Sequence, residues 1–130
     1  MTYKIYAEWE FPPENLEYTE TELEAELTWK PGSPVVMKGK LKVTYVYDGR
    51  KTRTYRFAVR GGTAAMLFSE VARYERFKEK MTEKEKDKCI EDIEDLLEEI
   101  IYKKQPYPGW IRLLLIEKEG KTVLKHRVSG

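Results

Sequence analysis

Apolar residues recur at every second position along the first half of the chain, and at every third or fourth along most of the second. In "YKIYAEWEF" the odd positions Tyr3, Ile5, Ala7, Trp9 and Phe11 are apolar, the pattern of a strand with one buried face. The prolines of "FPPENLEY" end that strand, because proline has no N–H for a central ladder. "TELEAELTW" resumes the alternation, with Leu23, Ala25, Leu27 and Trp29 on one face and Glu20, Glu22, Glu24 and Glu26 on the other. After the turn "KPGSP", "VVMKGKLKVTYVY" sends Met37, Leu41, Val43 and Tyr45 inward and Lys38, Lys40 and Lys42 outward. The tip "YDG" suits a three-residue hairpin loop with Gly49 in the left-handed position. "RTYRFAVR" then turns Tyr55, Phe57 and Val59 inward, and Phe57 falls opposite or diagonal to Gly39, where a ring can cover the missing side chain.

Helical spacing takes over after Gly61 and Gly62. "TAAMLFSEVARYERFKEKM" aligns Leu67, Val71, Tyr74 and Met81 on one stripe, flanked by Phe68 and Phe77. Thr82 and Glu85 match the capping box, so a second helix starts almost without a linker. Ile90, Ile93, Leu96, Leu97, Ile100 and Ile101 form its buried face, with Cys89 on the same stripe, and Lys103 and Lys104 suit the negative end of its dipole. "QPYPG" ends it, and "WIRLLLIEKEGKTVLKHRV" reads as a hairpin turning at Glu119-Gly120. The pattern predicts one α+β domain over residues 1–130: an antiparallel β-sheet in ββββ-αα-ββ order, with two helices packed on one face.

Register follows from the same pattern. If "KPGSP" closes a hairpin with Trp29 opposite Val35, then Glu26 faces Lys38, Glu24 faces Lys40 and Glu22 faces Lys42. The inward pairs become Leu27 with Met37 and Leu23 with Leu41. One register thus satisfies both faces, and directly opposed unlike charges contribute roughly 0.2–1 kcal/mol each. The last hairpin is apolar on both sides, Leu114, Ile116 and Val123 against Leu113, Leu115 and Leu124. A strand of that kind is covered twice or buried against a second subunit, so a homodimer burying Leu114 and Ile116 is expected.

Composition narrows the function classes. A single cysteine, Cys89, cannot form an intramolecular disulfide and points to a reducing, cytoplasmic setting. No apolar run is long enough to span a bilayer, and the alternating, acidic opening is neither a signal nor a transit peptide. Lys and Glu dominate the charged residues while Asn15 and Gln105 are the only side-chain amides, a bias typical of hyperthermophile proteins. One His, one Cys and three Ser leave almost no material for a triad or thiol mechanism. The chain reads as a non-enzyme without cofactor or metal.

The net charge of +1 conceals segregation, since residues 1–30 hold eight Glu against two Lys, whereas 31–60 hold eight Lys or Arg against one Asp. The glutamate rail accounts for the lysines. It leaves Arg50, Lys51, Arg53, Arg56 and Arg60 on and before the fourth strand, with Tyr47 at the tip. Cations interleaved with exposed rings offer charge to phosphate and π-faces to unstacked bases. A single-stranded nucleic acid is therefore the expected ligand, held by Arg50, Lys51, Arg53, Arg56 and Arg60. Tyr47 would stack on bases, with Tyr6 a further ring, and Lys38, Lys40 and Lys42 are secondary contacts. The ββββα order of residues 1–80 is similar to the unit of Whirly- and Pur-type single-strand binders; that resemblance lies in element order alone, and the second helix and last hairpin depart from it.

The rival expectation is a protein-interaction module or small inhibitor. It would present a sheet edge, or the acidic face of residues 82–104 with Glu91, Asp92, Glu94, Asp95, Glu98 and Glu99, to a basic partner protein. Glu91, Asp95 and Glu98 are spaced to approach one metal ion, but such runs are ordinarily solvated faces and no metal is assigned. "VRGGTAAM" lacks the lysine and full glycine pattern of a phosphate loop and reads as a tight connection. His126, on a face with Leu124 and Val128, reads as packed or hydrogen-bonded, not catalytic.

Overall fold

Alternation in the sequence becomes a two-faced sheet. The computed structural model describes residues 1–11, 18–45, 49–102 and 109–128. Its strands are β1 (Thr2–Glu10), β2 (Tyr18–Thr28), β3 (Val36–Tyr45), β4 (Lys51–Arg60), β5 (Trp110–Lys118) and β6 (Lys121–Arg127). They form one antiparallel sheet in the order β4-β3-β2-β1-β5-β6. Two helices, α1 (Gly62–Phe77) and α2 (Glu83–Ile101), lie between β4 and β5 in the chain. Their apolar stripes share one core with the odd-numbered residues of β1–β3. The hairpin tip, including Tyr47, and Lys103 and Lys104 lie outside the described residues.

The β2–β3 register is the one that the two faces demand. Glu22, Glu24 and Glu26 stand opposite Lys42, Lys40 and Lys38, and Leu23 and Leu27 stand opposite Leu41 and Met37. Gly39 faces Ala25 on one side and Phe57 on the other. Here β2 comes so close that a side chain at Gly39 would meet the Glu24 carbonyl. Gly49 takes the left-handed conformation expected of it, φ 92°. Trp29 departs from expectation. β2 ends at Thr28, the Trp29 N–H donates to the Met1 carbonyl at 2.9 Å, and the indole stays 41% exposed.

α1 buries Ala64, Leu67 and Val71 and stops at Phe77, four residues before Met81; a single 3-10 turn over Lys78–Lys80 follows. α2 opens on the capping box, in which the Thr82 hydroxyl accepts from the Glu85 N–H and the Glu85 carboxylate accepts from the Thr82 N–H, each at 3.2 Å. It buries Cys89 and all six aliphatic residues of its stripe.

The final hairpin covers within one chain the two residues that pointed to a second subunit. β5 pairs with β1, placing Leu114 opposite Ala7 and Ile116 opposite Ile5, so both leucine and isoleucine face the helices and are fully buried within one chain. β6 carries a bulge between its Thr122 and Leu124 pairings. The extra residue lets consecutive Val123 and Leu124 both bury, which moves Leu124 to the Leu114 face. Leu113 and Leu115 are left half-buried on the open face. No helix among the described residues is long and apolar enough to cross a membrane.

Candidate nucleic-acid interface

Strand pairing aligns side chains into rows across the face that the helices leave open. One row reads Arg56, Lys40, Glu24, Tyr6, Leu115 and Lys125 from β4 to β6. The next reads Ala58, Lys38, Glu26, Lys4, Glu117 and Thr122. A third, on the other side of the first, reads Thr54, Lys42, Glu22, Glu8, Leu113 and Arg127. Read down the strands, β3 and β4 make a cationic lane, β2 an acidic column, and β5 an apolar one.

The glutamate rail holds the lysines only in part. Lys40 and Glu24 close to 3.4 Å, each side chain more than half exposed. Among the described residues, Lys38, Lys42, Arg56 and Arg60 close no ion pair. An exposed pair of the Lys40 kind contributes roughly 0–1 kcal/mol, so even Lys40 is cheaply released to another anion.

Long side chains of the first two rows wall a depression of about 720 Å³. Its floor is formed at Ile5, Ala25, Gly39 and Phe57, residues of the inward-facing set, so the floor is largely backbone. A second depression of about 400 Å³ adjoins it, bordered by Lys30, Lys38 and Arg60 with Thr28, Ser33 and Glu26. Lys38 and Glu26 line both. Together they are bordered by Lys4, Lys30, Lys38, Lys40, Arg56 and Arg60 against Glu24, Glu26 and Glu117. Lys4 and Lys30 escaped the sequence reading, although Lys4 was recognisable as an even-numbered, outward position on β1.

The expected contact set does not stay on one surface. Arg56, Arg60, Lys38, Lys40 and Lys42 share the open face. Lys51 and Arg53 stand opposite Tyr45 and Val43, which places them on the helix-side face, and the Arg53 guanidinium lies 5.6 Å from the Tyr45 ring centroid. Arg50 precedes β4 and is exposed. Tyr6 is on the open face but among acids. Burial, then its hydrogen bond to Glu8, and then the charges of Glu22, Glu8 and Glu24 push its hydroxyl pKa well above the ordinary tyrosine value.

Of those acids, Glu8 also belongs to a cluster centred on Arg112, the extra residue of a β5 bulge opposite Glu8 and Trp9. Its guanidinium donates to Glu8 at 2.8 Å and to Glu10, with Glu20 at 3.7 Å. Burial alone would raise the Glu8 carboxyl. The hydrogen bonds from Tyr6 and Arg112 outweigh it and hold Glu8 below the usual carboxylate range.

On the helix side, two acids taken for solvated residues turn inward. Glu94 meets His126 Nδ1 at 3.0 Å, and Glu98 accepts from the Trp9 indole at 3.3 Å. Burial raises both carboxyls above their ordinary value. The acidic face of α2 is correspondingly narrower than its sequence implies, and His126 is a hydrogen-bonded residue. The glycine pair after Arg60 makes a tight connection, with the Gly61 N–H tied to the Val35 carbonyl at 2.8 Å. Among the described residues, no three His, Cys, Asp or Glu side chains are grouped where they could hold one metal ion.

Comparison of the chain with protein-family models, with curated proteins and with solved structures finds no match.

Proposed function

We propose that this chain is a non-enzymatic nucleic-acid-binding domain that holds single-stranded DNA or RNA along the β3–β4 lane with little sequence specificity. The observation that carries the reading is the excess of cations around two adjoining depressions: Lys4, Lys30, Lys38, Lys40, Arg56 and Arg60 against three carboxylates. Cations on flexible stems address phosphate and position a backbone; they do not read base edges. Arg56 and Arg60 are the principal contacts, Lys38, Lys40 and Lys42 line the same lane, and Lys51 and Arg53 are released from the set by their position on the other face. Tyr47 remains the candidate for stacking, and Tyr6, surrounded by carboxylates, adds little. We assign the role to the cytoplasm, where a lone thiol such as Cys89 stays reduced.

Anisotropy titration of a labelled oligonucleotide over a range of salt concentrations tests this. Each neutralised phosphate contributes about −0.7 to the slope of log K against log salt for a single strand. Arg56→Ala with Arg60→Ala should therefore flatten the slope by roughly 1.4 as well as weaken binding. An unchanged slope in that double variant, or no binding at low salt by the unaltered chain, refutes the lane.

A further inference from the structure

The face turned away from the lane carries a second surface, built where α1 and α2 run side by side. Thr63 on α1 donates to Glu99 on α2 at 3.3 Å, and Cys89 on α2 lies against Glu70 on α1, Sγ 3.7 Å from its carboxylate, so the helices are antiparallel. Between these two ties is a depression of about 560 Å³, lined by Ala65, Met66, Ser69, Leu96 and a rim of acids. At a rise of about 1.5 Å per residue, the ties are roughly 10 Å apart along α1 and roughly 15 Å apart along α2, two to three helical turns.

Its floor and its rim ask for different things. Leu96 is almost fully buried, but Met66, beside it, is 59% exposed, whereas the sheet-facing stripe of α1 is buried. Methionine on a surface is a deformable apolar contact suited to receiving another side chain. The rim carries Glu70, Asp92 and Asp95. Glu70 is held by Arg73 and Asp92 by Lys88, each at 3.0 Å along its own helix. Asp95 closes no ion pair among the described residues, and Glu91 and Glu99 are exposed on α2 beyond it.

We propose that this groove docks a basic amphipathic helix of a partner protein. An apolar side chain of that helix would sit on Met66, Ala65 and Leu96, and Lys or Arg three or four positions to either side would meet Asp95, Asp92 and Glu70. Two helices offer no free backbone ladder, so an extended peptide gains nothing there, while a helix laid in a groove is read through side chains at that spacing. The same carboxylates repel phosphate, which excludes nucleic acid and anionic lipid headgroups as occupants. The surface is separate from the lane, and either can fail without the other.

The test is anisotropy titration of the full chain with a labelled amphipathic Leu/Lys helix, beside a scrambled peptide of equal composition and charge. The amphipathic peptide should bind at least about tenfold more tightly than the scrambled one, because only it presents apolar and charged groups together. Asp95→Lys should weaken it by about tenfold or more, through repulsion at the rim, and Asp95→Asn and Met66→Ala by smaller factors. Glu119→Gln, in the exposed β5–β6 turn, should leave peptide affinity unchanged. Circular dichroism and thermal midpoints of each variant separate lost docking from lost folding. Equal binding of the two peptides reduces the surface to bulk charge and overturns the proposal. So does binding indifferent to Asp95 and Met66 in folded variants, or no binding at all.

Discussion

Replacing Gly39 by alanine should destabilise the fold by more than its single methyl group implies. A Cβ at Gly39 would stand 2.2 Å from the Glu24 carbonyl oxygen and 2.7 Å from both Cα and Cβ of Ala25. Real Cβ atoms keep at least 3.0 Å, so the nearest contact is 0.8 Å too short, and the obstacle is backbone that no rotamer change can clear. β2 and β3 must part at this rung, in the middle of the sheet. Overpacking of this kind costs about 1–3 kcal/mol, and stretching a neighbouring ladder bond costs roughly 0.5–1.5 kcal/mol more. Against that, alanine stiffens the unfolded chain by about 0.4–1 kcal/mol.

At the midpoints of these ranges the balance is a loss of about 2 kcal/mol. Guanidinium unfolding followed by tryptophan fluorescence should show the midpoint falling by roughly 0.5–1 M at unchanged m-value. The series Ala, Ser, Val should worsen in that order, because the cause is volume. Gly39→Ala within about 0.5 kcal/mol of the parent, the range of a neutral surface change, would refute the close approach. So would Gly39→Val being no worse than Gly39→Ala.

Arg112→Ala should cost about 2 kcal/mol near neutrality, because it strips charge-assisted hydrogen bonds from Glu8 and Glu10 and leaves them beside Glu20. The folded-state Glu8 carboxyl is held below its ordinary value of 4.5, so its contribution is present above that value and disappears as pH falls through the lowered one; urea midpoints should show the two proteins converging in acid. Glu98 has the opposite sign: burial raises its folded-state value, so the parent loses stability as pH climbs from 4.5 through the raised value. Glu98→Gln, which still accepts from the Trp9 indole, should be the more stable protein at pH 7 and lose that advantage below 4.5 in thermal melts. Changing Glu22, Glu24 and Glu26 together to Gln should strengthen single-strand binding at low salt and let a duplex compete, as read by the titration used for the lane; an unchanged preference would show that the acidic column does not limit the site.

Much of the fold was legible because one physical constraint covered both faces of a strand. Leu23 opposite Leu41 and Glu24 opposite Lys40 demand the same register, and a slip of one residue reverses every side chain. The stripe on α2 was equally plain. Bulges were not. Arg112 and Val123 each insert one residue and switch the alternation beyond them, so Leu124 changed faces and the apolar surplus on the hairpin looked like a dimer interface. Glu94 and Glu98 were hidden by their charge, although with Ile90, Ile93, Leu97 and Ile101 they complete the spacing of a buried arc. In the candidate site, alternation should have separated Lys51 and Arg53 from Arg56 and Arg60, since odd and even positions on β4 face opposite ways.

Under the proposed function, the open face also bears on which polyanion the lane would take. Neighbouring strands are about 4.8 Å apart, so the cationic lane of β3 and β4 is only two columns wide, and Glu22, Glu24 and Glu26 border it along its whole length. A single strand following β3 and β4 lays one line of phosphates over Lys42, Lys40 and Lys38 or over Arg56 and Arg60. A duplex brings a second line, which on one side meets the glutamates and on the other passes beyond β4, the edge of the sheet. β1 and β5 offer no second cationic lane, since their open-face residues are mostly acidic or apolar: Glu8, Glu10, Leu113, Leu115 and Glu117. The near-neutral total charge is therefore no argument against a polyanion ligand. If the lane holds a polyanion, the acids beside it would restrict the footprint to one strand's width, and the balance of charge that makes the composition look unpromising is what would give the site its preference.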